Sequence, residues 1–318
     1  MNGLPTMQEA RGIWEGIWQE EAHHSTAVEG NTLIGREVQL LLFEGRAFGG
    51  KELREYLEVQ GYGDAALWVY GQAVRHGRSS QQAPSAGVSL AELREIHRLV
   101  VSPVWARFPP ENLPARQQPG DFRKSNVEPL RRGLRPPDWP NVHPLLTDWV
   151  ESANALSSHS PTHAHFMEDL ADVHADFERI HPFPDGNGRV GRLTLNLLLV
   201  RHGYPPAVIN KRDRDRYLDG LHRADDGDPG LLGEVLARSV EHGINRFLIP
   251  GLAGPHRWVP LASLVDTAFS YNALILAAKR GRLRAELRDT RWYSSRHAVE
   301  EYKATRYKRQ PDPSRPSD

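Results

Sequence analysis

The sequence predicts a mainly α-helical fold with a small mixed α/β module at its C-terminal end, and three observations support this. First, apolar residues recur at helical spacing in several long segments. In residues 8–28, for example, they are Ile13, Trp14, Ile17 and Trp18. Second, Ser89 followed three residues later by Glu92 is the pattern of a capping box at a helix start. Third, strand-like alternation is rare, and the proline-rich stretch 107–144 predicts one short hairpin only.

Short polar or glycine- and proline-containing segments separate the predicted helices. The helices cover residues 8–28, 37–43, 51–76, 89–101, 143–156, 161–180, 190–200, 213–224 and 230–248. Gly251–Pro260 is the best domain boundary, because it is rich in glycine and proline and follows the last long helix. The expected domains are N-terminal helices in 1–85, a core in 86–250, a small module in 256–306 and a disordered tail in 307–318.

The composition is typical of a soluble globular protein, since 39% of the 318 residues are hydrophobic and 25% are charged. No apolar run approaches the ~20 residues of a membrane helix, and the first residues lack a signal-peptide pattern. The absence of cysteine excludes disulfides and thiolate chemistry, and we expect a cytoplasmic protein. Residues 256–318 hold 13 Lys and Arg against 7 Asp and Glu, which suggests a polyanionic partner for this basic segment.

The segment HPFPDGNGRVGR, residues 181–192, joins two predicted helices and concentrates residues that handle phosphate. Asn187 lies between two glycines, which let a backbone turn through positive φ and bring its N–H groups close to a ligand. The following helix offers its N-terminus to an anion, with Arg189 and Arg192 on its first turn. Asp185 is placed to hold Mg²⁺ beside a polyphosphate, and His181 to take a proton from an attacking hydroxyl. The set predicts a site for phosphoryl or nucleotidyl transfer.

This segment resembles the Fic family signature HPFx(D/E)GNGRxxR, with every fixed position present. The similarity continues into the preceding helix, which fits the pattern AxxHxxFxxIHPF, and into PGDFR at 119–123 and VEGNTL at 28–33. It therefore covers roughly residues 10–250, with 86–250 as the Fic catalytic core. The resemblance implies an all-helical domain with a small β-hairpin, the flap, at about 125–136 beside the active loop.

The resemblance also implies a reaction, the transfer of AMP from ATP to a Ser, Thr or Tyr hydroxyl of a target protein, with self-modification expected. His181 would act as the base, Asp185 would bind Mg²⁺ at the α- and β-phosphates, and the flap would pair with a target segment in the manner of a strand. The other implied roles are the anion hole from Gly186, Asn187 and Gly188, the β-phosphate contact from Arg189, the γ-phosphate contact from Arg192, and a place near the adenine for Tyr217.

A second informative segment is HSTAVEGN, residues 24–31. Ser25 and Glu29 are one helical turn apart, and Gly30 is suited to end the helix. The helix dipole disfavours a carboxylate at this end, so we expect Glu29 to have a cationic partner elsewhere. The segment resembles the Fic inhibitory motif (S/T)xxxE(G/N) in the class with an N-terminal inhibitory helix. That resemblance implies that Glu29 pairs with Arg192 and prevents ATP from binding in its reactive pose.

The C-terminal segment predicts helices at 261–268, 270–280 and 296–306, with two short strands near 283–286 and 292–294. This order resembles the winged helix-turn-helix of excisionase-like regulators. The resemblance implies DNA binding through a face that includes Tyr271, Asn272, Lys279, Arg280, Arg282 and Arg284. The alternative is a small protein-interaction module with a basic, solvated face. One departure is Phe269, since a small residue would suit the tight turn better.

Taken together, the sequence predicts an autoinhibited protein adenylyltransferase that works with Mg²⁺ and ATP, without a membrane partner and with a homodimer as a possible assembly. Two alternatives come from other classes of function. One is different chemistry at the same site, either removal of AMP, with Glu29 positioning a hydrolytic water, or transfer of another nucleotide or a phosphate. The other is a nucleotide-sensing regulator that binds DNA, although an intact His181 argues against a site without catalysis.

Overall fold

The computed structural model describes residues 7–47, 49–76, 87–111, 113–114, 116–128, 134–156, 165–249, 254–266, 268–288 and 290–305. The chain divides into two compact units. One unit is Glu15–Glu241, and the other comprises Met1–Trp14 with His242–Asp318. The first unit includes helices from both predicted domains, 1–85 and 86–250, and it ends before the predicted boundary at Gly251. The predicted tail 307–318 lies outside the described residues, as do residues 77–86 between the predicted helices 51–76 and 89–101.

Helices dominate the described residues, as the apolar periodicity predicts. The α-helices are α1 Met7–Val28, α2 Gly35–Glu44, α3 Leu53–His76, α4 Leu90–Trp105, α5 Val142–Ala155, α6 Phe166–Ile180, α7 Asn187–Arg201, α8 Arg214–Asp225, α9 Gly230–Gly243, α10 Tyr271–Lys279 and α11 Arg296–Thr305. Short 3₁₀ helices cover Trp139–Asn141, Lys211–Asp213 and Leu261–Leu264, and a π-helix covers Ile244–Leu248. None of these helices is both long and apolar enough to cross a membrane.

Helix α7 lies at the centre of the Glu15–Glu241 unit. It packs against α3, α4 and α6, and its residues from Asn187 to Leu199 are buried except for Gly188. Its apolar residues are not confined to one face, which is typical of a helix surrounded by protein. The polar residues at its N-terminal end, Arg189 and Arg192 among them, are therefore enclosed by neighbouring helices rather than solvated.

The predicted capping box forms at the start of α4. The Glu92 N–H donates to Ser89 Oγ at 3.3 Å, and the Ser89 N–H donates to a Glu92 carboxylate oxygen at 2.9 Å. Two donors at the helix start are thereby satisfied without backbone partners. Because α4 packs against α3 and α7, this cap fixes one wall of the unit.

The predicted hairpin at 125–136 is described only at its two ends. Residues 125–128 and 134–136 contain no strand, and residues 129–133 lie outside the described residues. The two ends are nevertheless tied together by Asn126. Its side-chain amide donates to Asp138 Oδ1 at 2.7 Å, and its side-chain oxygen accepts from the Trp139 N–H at 2.8 Å. We call residues 126–138 the flap loop.

The C-terminal module contains a three-stranded antiparallel sheet. Its strands are β1 Val259–Pro260, β2 Ala285–Arg288 and β3 Arg291–Ser294, with the spatial order β1-β3-β2. Val259 pairs with Ser294, and Glu286 pairs with Tyr293. Leu261, Leu274 and Leu283 are among the buried residues of its apolar core. The helix predicted at 270–280 and the two predicted strands are present within a few residues of their expected positions.

The helix predicted at 261–268 is wrong. Only Leu261–Leu264 is helical, in a 3₁₀ turn, and Val265 is extended. The physical reason is Asp266, whose carboxylate accepts the backbone N–H groups of Ala268 and Phe269, both at 2.9 Å. Such local side-chain bonds compete with helix formation. The structure also gives a reason for a large residue at position 269. The Phe269 ring is buried in the module core, and its centroid lies 5.3 Å from that of the Tyr302 ring.

Candidate active site

The loop 181–186 joins α6 to α7 through two left-handed residues. His181, the C-cap of α6, has φ 49°, and Gly186, the N-cap of α7, has φ 78°. Asn187 closes the loop on itself, because its side chain accepts from the Phe183 N–H and donates to the Phe183 carbonyl, both at 2.8 Å. The side chains of His181 and Asp185 are thus held on a short, closed loop before the N-terminus of α7.

The N-terminus of α7 contains a buried cationic donor with unused capacity. Arg189 is buried, and its Nη1 has no hydrogen-bond partner among the described residues. Its Nη2 lies 3.5 Å from Asp185 Oδ1. A buried, unsatisfied guanidinium donor is costly unless a ligand completes it, and a helix N-terminus favours an anion. The site therefore fits a phosphate group.

Asp185 fits the single protein carboxylate of a nucleotide-bound Mg²⁺. Its Oδ1 accepts from the Gly186 N–H at 2.6 Å, and its side chain is 32% exposed. Among the described residues no group of three or more His, Cys, Asp or Glu side chains is arranged to hold a metal ion. Mg²⁺ bound through one carboxylate takes its remaining ligands from phosphate and water. The donor set here is thus suited to an ion that enters with a polyphosphate.

His181 has the geometry of a proton acceptor. Its Nδ1 lies 3.3 Å from the carbonyl oxygen of Glu178, one turn earlier in α6. A carbonyl accepts but cannot donate, so this contact assigns the proton of the neutral ring to Nδ1. The basic lone pair is then on Nε2, which is the atom that can take a proton from a hydroxyl.

Arg192 is held by α1, the helix that carries the predicted inhibitory motif. Its Nε donates to Ser25 Oγ at 2.7 Å, and its Nη2 donates to the Ser25 carbonyl at 3.0 Å and to Glu29 Oε1 at 2.8 Å. Arg192 is 3% exposed, whereas the Glu29 side chain is 45% exposed. Gly30 ends this segment with φ 103°. The residues Ser25, Glu29 and Gly30 therefore lie where the sequence motif implies.

The charges around Glu29 keep it ionised. Burial raises the pKa of Glu29, but the charge and hydrogen bond of Arg192, together with the charges of Arg189 and Arg214, hold the pKa below its ordinary value. For Arg192, burial favours the neutral form, while the charge of Glu29 raises the pKa above the ordinary arginine value. The pair is therefore a fully charged ion pair at neutral pH.

Gly188 is required by this ion pair. A Cβ on Gly188 would lie 2.5 Å from Glu29 Oε1 and 3.1 Å from Arg192 Nη1. The first distance is shorter than any normal contact between a Cβ and an oxygen. The glycine that opens the first turn of α7 to an anion is thus also the residue that leaves room for the Glu29 carboxylate.

Tyr217 lies beneath Arg192 and not at the surface. It is 1% exposed, its ring centroid is 5.9 Å from Arg192 Cζ, and its hydroxyl is 2.8 Å from His174 Nε2. Burial raises its pKa. The buried Tyr217 ring therefore packs against the Arg192 guanidinium and helps to hold it in place. Its predicted contact with adenine stays a prediction.

A buried carboxylate in α1, Glu21, was not anticipated from the sequence. It accepts hydrogen bonds from Tyr62 Oη at 2.6 Å, from Asn196 Nδ2 at 2.7 Å and from Tyr70 Oη. Burial raises the pKa of Glu21 above its ordinary value, and the hydrogen bonds from its three donors offset this only in part. The donors come from α3 and α7, and Ser25 follows Glu21 by one helical turn. This cluster therefore attaches the part of α1 that carries the predicted inhibitory motif to helices α3 and α7.

The Glu21 cluster leads to a prediction about stability. We expect Tyr62→Phe to lower the free energy of unfolding by roughly 1–3 kcal/mol, because a buried carboxylate loses one of its donors. Chemical denaturation measures this change. The control is Glu151→Ala on the exposed face of α5, for which we expect about 0.5 kcal/mol or less. Equal stability of both variants and the wild type would show that the cluster contributes nothing.

His97 of α4 packs against loop 181–186. It is fully buried, its Nδ1 accepts from the Gly120 N–H at 2.8 Å, and its Nε2 lies 3.2 Å from the Asp185 carbonyl. Its ring stacks on Phe183 at 3.9 Å between centroids. Burial lowers its pKa to about 3, so the ring is neutral and donates through Nε2. Phe183 is itself fully buried.

Sequence reasoning missed Glu21, His97 and Arg123 as members of the site. Arg123 donates Nε to the His181 carbonyl at 2.8 Å. A signal was present for two of them. Glu21 follows the apolar residues Ile17 and Trp18 by one helical turn, and Arg123 ends the motif PGDFR. His97 has no such signal, since a histidine inside an amphipathic helix is ordinary.

The arrangement is a helical domain in which a short loop joins α6 to the N-terminus of the buried helix α7. Residues 87–199 match the model of the Fic/DOC family, and this part of the chain is a Fic/DOC domain. Protein adenylyltransferase Fic of Aedes aegypti is 31% identical over 232 residues, which are 72% of this chain and 41% of that protein. The protein of the same name from Nematostella vectensis is 30% identical, over 75% of this chain and 50% of that protein.

A solved structure agrees with this family. Fic-1 from C. elegans has a TM-score of 0.62 and 26% identity, over 77% of this chain and 66% of that chain. The predicted fold class, mainly helical with a Fic domain, is confirmed. The chain spans half or less of the length of the two curated relatives that it matches.

Proposed function

We propose that this protein is an autoinhibited adenylyltransferase that transfers AMP from ATP to a Ser, Thr or Tyr hydroxyl of a target protein. The observation that carries the proposal is the loop 181–186 with the N-terminus of α7, where a histidine with a basic Nε2 is followed by a carboxylate and a buried arginine donor without a partner. The names of the two curated relatives support the same chemistry.

Each residue of the loop has a task in this reaction. His181 Nε2 takes the proton of the attacking hydroxyl as oxygen bonds to the α-phosphorus and the bond to the pyrophosphate leaving group breaks. The backbone N–H groups of Asn187 and Gly188 stabilise negative charge on phosphate oxygens, whereas the Gly186 N–H donates to Asp185 Oδ1 in this structure. Arg189 Nη1 binds the β-phosphate. When Mg²⁺ is bound at Asp185, it neutralises charge on the phosphates.

Autoinhibition is the second part of the proposal. Arg192 has the charge and the position to bind the γ-phosphate, but three of its hydrogen bonds go to Ser25 and Glu29. With Arg192 occupied, ATP lacks the contact that sets its reactive pose. We call the contact of Ser25 and Glu29 with Arg192 the brake. It is released when Glu29 and the adjoining C-terminal end of α1 move away from Arg192. A cytoplasmic location and a homodimer stay predictions.

Isotopic labelling tests the reaction itself. The protein is incubated with Mg²⁺ and either α-labelled or γ-labelled ATP, and its intact mass is recorded. Self-labelling from α-labelled ATP alone, with the mass of AMP added, supports adenylyl transfer. Label from γ-labelled ATP would instead indicate phosphotransfer. No label from either, even after removal of the brake, would favour release of AMP from modified proteins or a nucleotide-sensing regulator.

A second proposal concerns the C-terminal module, which we infer binds double-stranded DNA. The observation that favours it is a group of exposed cationic side chains near α10. Lys279, Arg280 and Arg282 are exposed at and after the end of α10 and make no ion pair with the described residues. Tyr271 and Asn272, at the start of the same helix, are also exposed, as is Arg284. Unpaired cations around one short helix suit a phosphate backbone.

Salt dependence tests DNA binding by the full chain. We expect the affinity for a fluorescent duplex to fall linearly on a log–log plot as salt rises, and Arg282→Gln to reduce the slope by ~1. Fluorescence anisotropy measures both. The control is Arg238→Gln in α9, which removes an exposed arginine that is already paired with Glu234 at 2.7 Å. Absence of binding at low salt would overturn this proposal and favour a protein partner.

A further inference from the structure

Arg123 is a buried arginine whose side chain bonds to backbone and to no carboxylate among the described residues. It is 2% exposed, and its side chain donates to four carbonyl oxygens. Burial lowers its pKa, which the charge of Asp138 partly offsets. A buried cation is costly, so its position calls for an explanation beyond packing. Its four acceptors belong to two different parts of the site.

Two of the acceptor carbonyls lie where α6 meets loop 181–186. Nε donates to the His181 carbonyl at 2.8 Å, and Nη2 donates to the Ile180 carbonyl at 3.3 Å. The Arg123 backbone N–H adds a bond to the Pro182 carbonyl at 2.9 Å. These bonds surround His181, which has the left-handed φ of 49° that few side chains other than glycine adopt. Arg123 therefore holds the backbone of the base in its uncommon conformation.

The other two acceptors lie at the base of the flap loop. Nη1 donates to the Ser125 carbonyl at 3.3 Å, and Nη2 also donates to the Pro137 carbonyl. Ser125 precedes the flap loop, and Pro137 lies near its other end, where Asn126 bonds to Asp138 and Trp139. One guanidinium thus connects both ends of the flap loop with the backbone of His181.

We propose that Arg123 is a positioning residue that couples the two described ends of the flap loop to the backbone of the catalytic base, so that His181 is held in place for proton transfer. The proposal rests on the function proposed above. The planar fork of arginine reaches acceptors in several directions at once, whereas a lysine ammonium on the same backbone reaches fewer of them. Coupling therefore depends on the guanidinium and not on charge alone.

The catalytic test uses the full chain with the Glu29→Gly substitution in every variant. Arg123→Gln and Arg123→Lys are compared with Arg94→Gln. Arg94 is the control, because it donates to Gly120 and Asp121 in the same segment and makes no hydrogen bond to the described residues of loop 181–186 or of the flap loop. We expect roughly 100-fold lower kcat for self-labelling in Arg123→Gln, the loss that follows a small misplacement of a reacting group.

Three readouts separate coupling from general damage. ATP affinity, measured by calorimetry, is expected to stay unchanged in Arg123→Gln, and Arg123→Lys is expected to recover only part of kcat. Methylguanidinium is expected to raise the kcat of Arg123→Gly. Loss of ATP affinity together with kcat, an equal loss in Arg94→Gln, or full activity of Arg123→Gln would each overturn the proposal.

Hydrogen exchange tests the coupling without any reaction. In Arg123→Gln the amides of 125–138 and of 181–186 are expected to exchange faster together, whereas Arg94→Gln leaves residues 181–186 unchanged. Faster exchange in one segment alone would overturn the coupling. If the Glu29→Gly parent takes no label from ATP, the proposed function fails, and the exchange experiment still decides whether Arg123 joins the two loops.

Discussion

Replacing Glu29 with glycine is expected to raise self-labelling from α-labelled ATP by roughly 5- to 150-fold, the range of a coupling free energy of ~1–3 kcal/mol. The substitution removes the carboxylate that bonds to Arg192 Nη2 at 2.8 Å and frees this part of the guanidinium for the γ-phosphate. The backbone tolerates the change, because α1 ends at Val28 and residue 29 lies outside the helix. Initial rates at saturating ATP measure the effect.

Two further variants make this experiment specific. Glu29→Gln keeps the size of the side chain and loses its charge, so it is expected to activate less than Glu29→Gly. Ser25→Ala removes the hydroxyl that accepts from Arg192 Nε and leaves Glu29 in place, so its rate is expected to lie near that of the wild type. If Glu29→Gly and the wild type label at the same rate, the inhibitory role of Glu29 is wrong.

The brake is also expected to be insensitive to pH over the neutral range. The pKa of Glu29 in the folded protein is held below its ordinary value, so the ion pair is complete above that ordinary value and is lost only as the pH falls through the lowered pKa. Release of the brake therefore requires movement of α1 or a competing ligand, and mild acidification does not supply it.

Replacing His181 with alanine in the Glu29→Gly protein is expected to lower the rate of self-labelling by roughly 10²- to 10⁴-fold, the usual contribution of a general base. His181 is the one histidine of loop 181–186, and the contact of its Nδ1 with the Glu178 carbonyl leaves the basic lone pair on Nε2. Rates with α-labelled ATP measure the loss.

The backbone of residue 181 calls for a control. Its φ is 49°, and asparagine tolerates this conformation better than alanine does. His181→Asn therefore preserves the loop while it removes the base, and it is expected to be as inactive as His181→Ala with an unchanged affinity for ATP. Activity of His181→Asn near that of its parent would assign proton transfer to another group.

The sequence predicts the parts of the site that are local along the chain. Gly186, Asn187 and Gly188 are adjacent, and the turn that they form follows from their own backbone preferences and from the Asn187 side chain. Ser25 and Glu29 are also local to each other. Their pairing with Arg192 joins residues more than 160 positions apart, and only the resemblance to a family predicted it.

The features that sequence reasoning missed are long-range and polar. Glu21 meets Tyr62 and Asn196, and His97 meets Gly120 and Asp185, across distances along the chain that no local pattern encodes. A helical period identifies a buried position but does not identify which distant donor satisfies a polar side chain there. The wrong helix at 261–268 has the opposite cause, because one local side chain, Asp266, overrides an apolar pattern.

Gly188 limits which mutations could remove the proposed inhibition in the course of evolution. A side chain there would collide with Glu29 and would also fill the first turn of α7, where the phosphates are proposed to bind. A mutation at codon 188 that displaces Glu29 is therefore expected to impair the proposed phosphate site in the same step. A single base change from a glutamate to a glycine codon at position 29 carries no such penalty. Lineages that gain permanent activity should accordingly carry altered inhibitory helices and an intact loop.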